Sequence, residues 1–506
     1  MTRREFLRGA AIGAAASMVP LCRRLLASEA RNEAPSAAGA ASISGLANRI
    51  RGRVILPTDP GYDSARRIFS WNPATDKRPA LLVRCAGRDD VRAAVEYARR
   101  ANLEVAIRSG GHDVLGKSVC EGGMVIDLSP MKRIAIDPNR RVARVEAGVT
   151  AGELNATAGK YDLAVPLGCN PLVGISGLTL GGGLGWLLGK HGAACDNLRS
   201  IDLVGADAQN LQASQAENPD LFWALHGGGG NFGVATSFEF EMHPLDEIAG
   251  GFIVYPREKA AEFYRFYGDY MKIAPDELAV ETSLDARGML VMVCYSGDMN
   301  RSEFLFEPLR KFGPFKGSLQ RMAYVGLQTP PLAARIADAI EREFRSLADR
   351  LSGHESRRPF IYWKGGSLKE LNHQAIEILT EASRNAPRWC SIGLGHYMHG
   401  AVCRAEPAST PLIREQHTLS YFINASWTEA RDGDRAVSWV NDCWKTLQPL
   451  SGKRSYVNYL SADDEPSVVS AYGANYERLA ALKSKYDPSN FLHLNRNIRP
   501  HQDARR

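Results

Sequence analysis

The sequence predicts an α+β protein of more than one domain. The stretch RPALLVRCAGRDDVRAAVEYARRANLEVAIRSGG reads strand, helix, strand. Two glycine-dense loops, 108–118 and 168–185, interrupt the same region. From about 246 to 454 strand-like runs alternate with long helical ones, the pattern of an antiparallel sheet with one face covered by helices. At 506 residues the chain exceeds the roughly 250–300 residues at which a single core stops growing.

Taken in order, the chain opens on TRREFLRG, with Arg3 and Arg4 followed by Phe6 and Leu7 and a mild apolar run. This pattern predicts a twin-arginine export signal over 1–30, a small-residue cleavage stretch ending at Ala30, and a periplasmic or extracellular destination. The apolar run falls short of the about 20 residues that span a bilayer, so no stable membrane anchor is expected after cleavage. Cys22 follows Leu21, a poor fit for a lipoprotein site. Residues 31–46, rich in Ala, Ser and Gly, read as a linker. LLVRC is the first strand expected. Asp89 and Asp90 open a helix whose apolar positions are Val91, Ala94, Val95 and Ala98. VAIRS is the next strand, and MVIDLSPMKRIAIDPNRRVARVEAGVT reads as a hairpin region around the turn DPNR. AGELNATAGKY is helical and leads into a glycine-dense segment that ends in a strand. In the middle, GFIVYP, LVMVCYSG and HTLSYFINASW are strands and PPLAARIADAIEREFRSLADRL is a helix. The tail PSVVSAYGANYERLAALKSKY is an amphipathic helix stopped by YDPSN.

The net charge of +6 is spread along the chain, which predicts a solvated surface and no nucleic-acid partner. None of the nine cysteines forms a C-x-x-C pair, so no zinc site is expected. His396 and His399 in GLGHYMHG lack further ligands at metal spacing and read as structural or substrate-facing groups.

Two motifs mislead. From Gly111 the sequence runs Gly-x-x-x-x-Gly-Lys-Ser, formally a phosphate-binding P-loop. A P-loop needs a helix to start at the Lys-Ser, because the helix N-terminus holds the phosphates. Here Ser118 is followed by VCEGGMVIDLSP, which starts no helix, and the strand-like MVID follows too closely for the usual parallel strand. Gly228-x-Gly230-x-x-Gly233 is formally a dinucleotide fingerprint, but it follows the helical DLFWALHG and not a strand. The glycines do allow close backbone approach to a ligand and supply N–H groups to an anion. A diphosphate-bearing cofactor wrapped by the two loops fits them better than a mononucleotide seated on one.

The segments RSGGHDVLGKS, GCNPLVGISGLTLGGGLGWLLGKHGAACDNL and YVNYLSADD…AYGANYERLAALKSKYDPSNFLHLNRNI resemble the flavin-linked oxidases of the berberine bridge enzyme type, which have the vanillyl-alcohol oxidase, or PCMH-type, FAD-binding fold. The resemblance implies an FAD-binding domain over 47–245, a substrate-binding domain over 246–454, and a C-terminal segment over 455–506 that returns to complete the FAD part. It places the family's flavin-attachment histidine on His112 and its second, cysteine anchor on Cys169. One departure exists: Cys169-Asn170-Pro171-Leu172-Val173-Gly174 carries one residue more than the family's usual Cys-Pro-Thr-Val-Gly, which keeps a single link open as the alternative. Arg108, Ser109, Gly110 and Gly111 would pass the FAD diphosphate, with Gly174, Ser176, Gly177, Gly181, Gly182 and Gly183 lining the same cofactor. Ile175 would gate oxygen, Val234 would lie near the adenine, and Asn458 would support the flavin ring.

For chemistry, a substrate C–H gives hydride to the flavin while a base takes the O–H or N–H proton. The resemblance offers Tyr456, Tyr459 and Tyr421 as that base, the last on a strand expected to face the flavin. The implied activity is an oxidase acting on an alcohol, sugar lactol or bulky hydroxylated natural product, with O2 as acceptor and H2O2 as product. The alternatives are a dehydrogenase using a quinone or protein acceptor, and a ligand-binding relative without activity.

Overall fold

The computed structural model describes residues 37–313, 316–328, 359–387, 390–452, 456–460 and 467–501. The expected export signal and the helix expected over 330–351 lie outside these residues. The chain divides into two compact units, Met1–Arg49 and Ile50–Arg506. The first contains a helix, Ala37–Arg49. This corrects the linker expected over 31–46: its second half is the run AAGAASIS, and alanine's helix propensity outweighs the glycine within it.

The second unit begins with a sheet of β1 (Arg53–Ile55), β2 (Leu81–Arg84), β3 (Val105–Arg108) and β4 (Met124–Asp127) in the order β1-β2-β4-β3. The helix Arg88–Arg100 joins β2 to β3 and buries the expected stripe Val91, Ala94, Val95 and Ala98. Asp90 does more than open that helix. Its buried carboxylate accepts the N–H groups of Arg51, Gly52 and Ala86 at 2.8–3.0 Å. The run MVID corrects the sequence reading, since it is β4 and lies parallel to both β2 and β3. A parallel step usually needs a helical crossover. Here the glycine loop 109–123 makes it, and no helix follows Ser118.

The hairpin around DPNR is β5 (Ile134–Asp137) against β6 (Val142–Glu146). It forms the edge of an antiparallel sheet, β5-β6-β10-β8-β9, with β8 at Leu198–Val204, β9 at Asn210–Ser214 and β10 at Val234–Glu241. The short β7 (Leu163–Ala164) pairs with β11 (His243–Pro244).

The third sheet contains β12 (Glu247–Tyr255), β13 (Leu278–Leu284), β14 (Met289–Tyr295), β15 (Lys316–Ala323), β16 (Phe360–Leu368), β17 (Cys390–Tyr397) and β18 (Leu419–Trp427). Its order is β15-β12-β14-β13-β17-β18-β16, antiparallel throughout. Helices Ala260–Tyr270, His373–Arg384 and Gly433–Leu447 supply Phe263, Tyr267, Leu379, Trp439 and Val440 to the core on one face. On the other face Ile248, Phe252, Leu290 and Cys294 pack with Trp186, Leu187 and Leu245.

The C-terminal tail is two helices, Ser467–Tyr472 and Tyr476–Tyr486, split at Gly473, whose φ of 50° breaks the single helix read from the sequence. It docks on the glycine run 227–233. Lys483 is fully buried and donates to Asn231 O (2.8 Å), Leu492 O (3.0 Å) and Asp487 Oδ2 (2.7 Å). Asn495 Nδ2 donates to Gly230 O, and Ile498 N–H to Asn231 Oδ1. The formal dinucleotide fingerprint is thus a seat for the chain's own end. Among the described residues no helix is long and apolar enough to cross a membrane.

Candidate active site

The two glycine loops meet back to back. A Cβ on Gly110 would lie 2.3 Å from Gly174 N, and one on Gly174 2.4 Å from Gly110 N, so no side chain fits at either position. Gly174 also bridges to Thr150. The hydroxyls of Ser109 and Ser176 both donate to Ala147 O, at 2.7 and 2.5 Å, which pins the loops to one carbonyl. Ile175 is buried at the first turn of the helix Ile175–Leu180 and donates its N–H to Val149 O. Arg108 is buried and donates to Asp127 Oδ2 at 2.8 Å, which spends its charge inside the sheet, while its Nη1 has no hydrogen-bond partner. The buried hydroxyls of Ser118 and Thr179 are likewise unpartnered.

His112 lies flat on Phe69, with ring centroids 4.0 Å apart. Burial pulls its pKa down to about 4, so the imidazole is neutral at ordinary pH and keeps a nucleophilic lone pair. The lysine of the formal P-loop serves the tail: Lys117 Nζ donates to Asn495 O at 2.6 Å, and Asp113 next to His112 pairs with Arg496.

Gly181, Gly182 and Gly183 face the segment 456–460. The Asn458 carboxamide fills the space where a Gly181 side chain would lie. Asn458 Nδ2 donates to Leu178 O at 3.3 Å and to the Tyr456 hydroxyl at 2.8 Å, and that hydroxyl also accepts the Gly183 N–H at 2.8 Å. Tyr459 packs edge-on against Tyr456 at 5.0 Å and Trp363 at 5.1 Å. Burial pushes both phenols up. Val234 is buried at the start of β10.

Tyr421 requires correction. It shares the helix-covered face of β18 with Ile423 and Trp427, and its hydroxyl meets Ser451 Oγ at 3.1 Å. Strand side chains alternate between faces, so its neighbour Ser420 is the residue that lines the cleft.

A cleft open to solvent lies between these parts. Leu184 and Tyr456 line it from the glycine-loop side, and His396, Ser420 and Leu412 line it from the third sheet and its connections. His396 Nδ1 lies 2.9 Å from Glu281 Oε1, and Cys169 Sγ lies 3.2 Å from the same oxygen. The three ligand-type atoms lie within 4.8 Å of one another. Burial, then the Glu281 carboxylate, raise the Cys169 thiol. Glu281 escaped the sequence reading; its one signal is a carboxylate in the middle of the otherwise strand-like LAVETSL. His399 is buried beside a second cavity.

Residues 79–214 match the family described as FAD binding domain, and residues 455–499 the family described as Berberine and berberine like. An FAD-linked oxidoreductase of Dictyostelium discoideum is 31% identical over 442 residues, covering 86% of this chain and 91% of that protein. The (R)-6-hydroxynicotine oxidase of Paenarthrobacter nicotinovorans is 41% identical over 207 residues, 41% of this chain and 45% of that protein. The crystal structure of 6-hydroxy-D-nicotine oxidase from Arthrobacter nicotinovorans matches with a TM-score of 0.77 at 27% identity, covering 89% of this chain and 98% of its own.

The site fits FAD on its own terms. A Cβ would block the crossing at Gly110 and Gly174, a neutral imidazole stands beside it, and buried hydroxyls at Ser118 and Thr179 have no partner. With a close relative spanning nearly the whole fold and both halves of the cradle matched, this chain belongs to the berberine bridge enzyme-like FAD-linked oxidoreductases.

Proposed function

We propose that this enzyme is an oxidase of CH–OH groups, taking an alcohol, a sugar lactol or a bulky hydroxylated natural product and passing the electrons to O2. The observation that carries this reading is the open cleft, because Leu184, Gly227 and Tyr456 line it jointly with His396 and Ser420 of the third sheet. A substrate seated there lies between Leu184 and Tyr456 on one side and His396 and Ser420 on the other. FAD supplies the hydride acceptor when bound. The chain's own residues bind the substrate, orient its C–H and take its proton. The region 47–245 with 455–506 acts as the FAD-binding part and 246–454 as the substrate-binding part.

His112 is the covalent anchor in this reading. Its neutral ring supports that role, since only an unprotonated nitrogen can form the bond. Cys169 is the second anchor, on the loop that crosses Gly110. The paired Arg3 and Arg4 support export of the folded, cofactor-loaded protein.

The test starts from purified yellow protein. Anaerobic bleaching is followed with glucose, cellobiose, benzyl alcohol and 4-hydroxybenzyl alcohol, and the reduced protein is then mixed with oxygen. Bleaching by at least one compound and rapid reoxidation with peroxide release are expected. Bleaching with slow reoxidation, but fast transfer to a quinone, would make the enzyme a dehydrogenase. Acid precipitation should leave the flavin in the pellet, and complete release of flavin would refute covalent attachment.

A further inference from the structure

We propose that Glu281 and His396 form the proton-accepting pair of this active site, with His396 Nε2 receiving the substrate's hydroxyl proton. The proposal rests on the hydride-transfer reading above. His396 is the catalytic residue, and Glu281 positions it.

The geometry sets the tautomer. His396 Nδ1 lies 2.9 Å from Glu281 Oε1, so Nδ1 carries the hydrogen and donates it. The lone pair is then on Nε2. His396 lines the cleft, where the substrate sits. The carboxylate stabilises the imidazolium that forms when the proton arrives.

The sheet is built to place this ring. Glu281 is at the centre of β13, and β17 is the neighbouring strand. The register of β17 against β18 shifts between Leu394 and Tyr397, a bulge that contains Gly395 and His396. Such a bulge re-aims a side chain. A Cβ on Gly395 would lie 2.7 Å from Ser420 Oγ, and that hydroxyl donates to His396 O at 3.4 Å.

The pair also borders a second space. Glu281, His396 and His399 line a second, small cavity. His396 thus borders both spaces, the cleft on one side and this cavity on the other. The tyrosines are less suited to the task, since burial raises both Tyr456 and Tyr459, whereas a base must ionise near working pH. Attachment of Cys169 to the cofactor would remove its contact with Glu281 Oε1 and leave that oxygen to His396.

The step balances. The substrate C–H leaves as hydride to the cofactor, the O–H proton leaves to Nε2, and the substrate becomes a carbonyl compound. Oxygen then takes the two electrons and two protons, one of them from the imidazolium, and leaves as hydrogen peroxide.

The test measures anaerobic flavin reduction by stopped flow across pH, using the compound that bleaches the wild type fastest. The variants are His396→Ala, Glu281→Gln and Tyr459→Phe. Flavin content and absorbance spectrum serve as folding controls. The wild-type rate should rise with pH through one ionisation. His396→Ala should lose roughly 10²–10⁴-fold in reduction rate and lose that ionisation, and added imidazole should restore part of the rate. Glu281→Gln should lose less than His396→Ala and gain nothing from added imidazole, as expected of a residue that positions the ring and does not itself take the proton. Wild-type rates and pH profiles in both variants would overturn the proposal. So would transfer of the whole effect to Tyr459→Phe, or a stoichiometric divalent metal in the purified protein, since a metal bound by Cys169, Glu281 and His396 would occupy the same atoms. Failure of every compound to bleach the wild type would instead refute the hydride-transfer reading itself.

Discussion

Burial governs several imidazoles of this protein. His112 is held down to about 4 and His191 to about 3, in both cases chiefly by desolvation. The folded values lie below the ordinary 6.5, so the unfolded chain binds these protons more readily. The stability they contribute is complete above about pH 6.5 and is lost as pH falls towards 4. His191 stacks on His243 at 3.9 Å, and its Nε2 is buried without a partner. Melting followed by intrinsic fluorescence should show the midpoint falling over that interval, and His191→Phe, which keeps the stack and removes the titrating nitrogen, should reduce the fall. An unchanged acid dependence in that variant would show that His191 plays no part. At this scale a motif singles out a residue, as GGHD singles out His112, and the structure puts that ring on the loop that crosses Gly174. The sequence was silent on Glu281, because nothing local distinguishes a strand carboxylate that meets a histidine more than a hundred residues away. The sequence also misplaced Tyr421, because an alternating strand shows its two faces but not which one the helices cover.

Among the elements, the glycine loops show how tightly local backbone and cofactor cradle are joined. Gly110 and Gly174 touch at backbone distance, and Gly111 and Gly116 adopt φ of 68° and 69°. Gly110→Ala should force the loops apart. The expected result is a destabilisation of about 3 kcal/mol, the upper end of the usual cost of overpacking, together with colourless protein. Gly177→Ala is the contrast, since its Cβ would meet nothing within 4 Å, and its melting temperature should stay near that of the wild type. A Gly110→Ala protein with normal colour and melting would contradict the close crossing. The elements themselves were largely readable. The helix Arg88–Arg100 follows its hydrophobic period, the DPNR turn marks its hairpin, and apolar runs such as LVMVCY and LSYFINASW mark strands of the third sheet. MVID was misjudged because its partners are set by a glycine-loop crossover, a long-range arrangement that no window of sequence reveals. The split of the tail at Gly473 turns on one left-handed residue.

At the scale of the whole molecule, the C-terminal return decides whether the cradle exists. Lys483 and Asp487 form a fully buried pair, and Lys483 also holds the carbonyls of Asn231 and Leu492. Removing one partner of a buried pair typically costs 3–5 kcal/mol. Lys483→Met should therefore lower the melting temperature by several degrees and weaken flavin retention, although Lys483 is part of the tail-docking helix and not of the cleft. Normal flavin content and melting in that variant would show the dock to be dispensable. The contacts Asp113–Arg496 and Lys117–Asn495 join positions separated by 383 and 378 residues. Asp113 is next to His112, and Lys117 is on the same loop. During synthesis, the loop around that histidine therefore waits for almost the last residues to leave the ribosome before it acquires its final partners. Cofactor loading is consequently expected to be late, and a chain stopped short of Asn495 should accumulate without colour, however well its earlier sheets have formed.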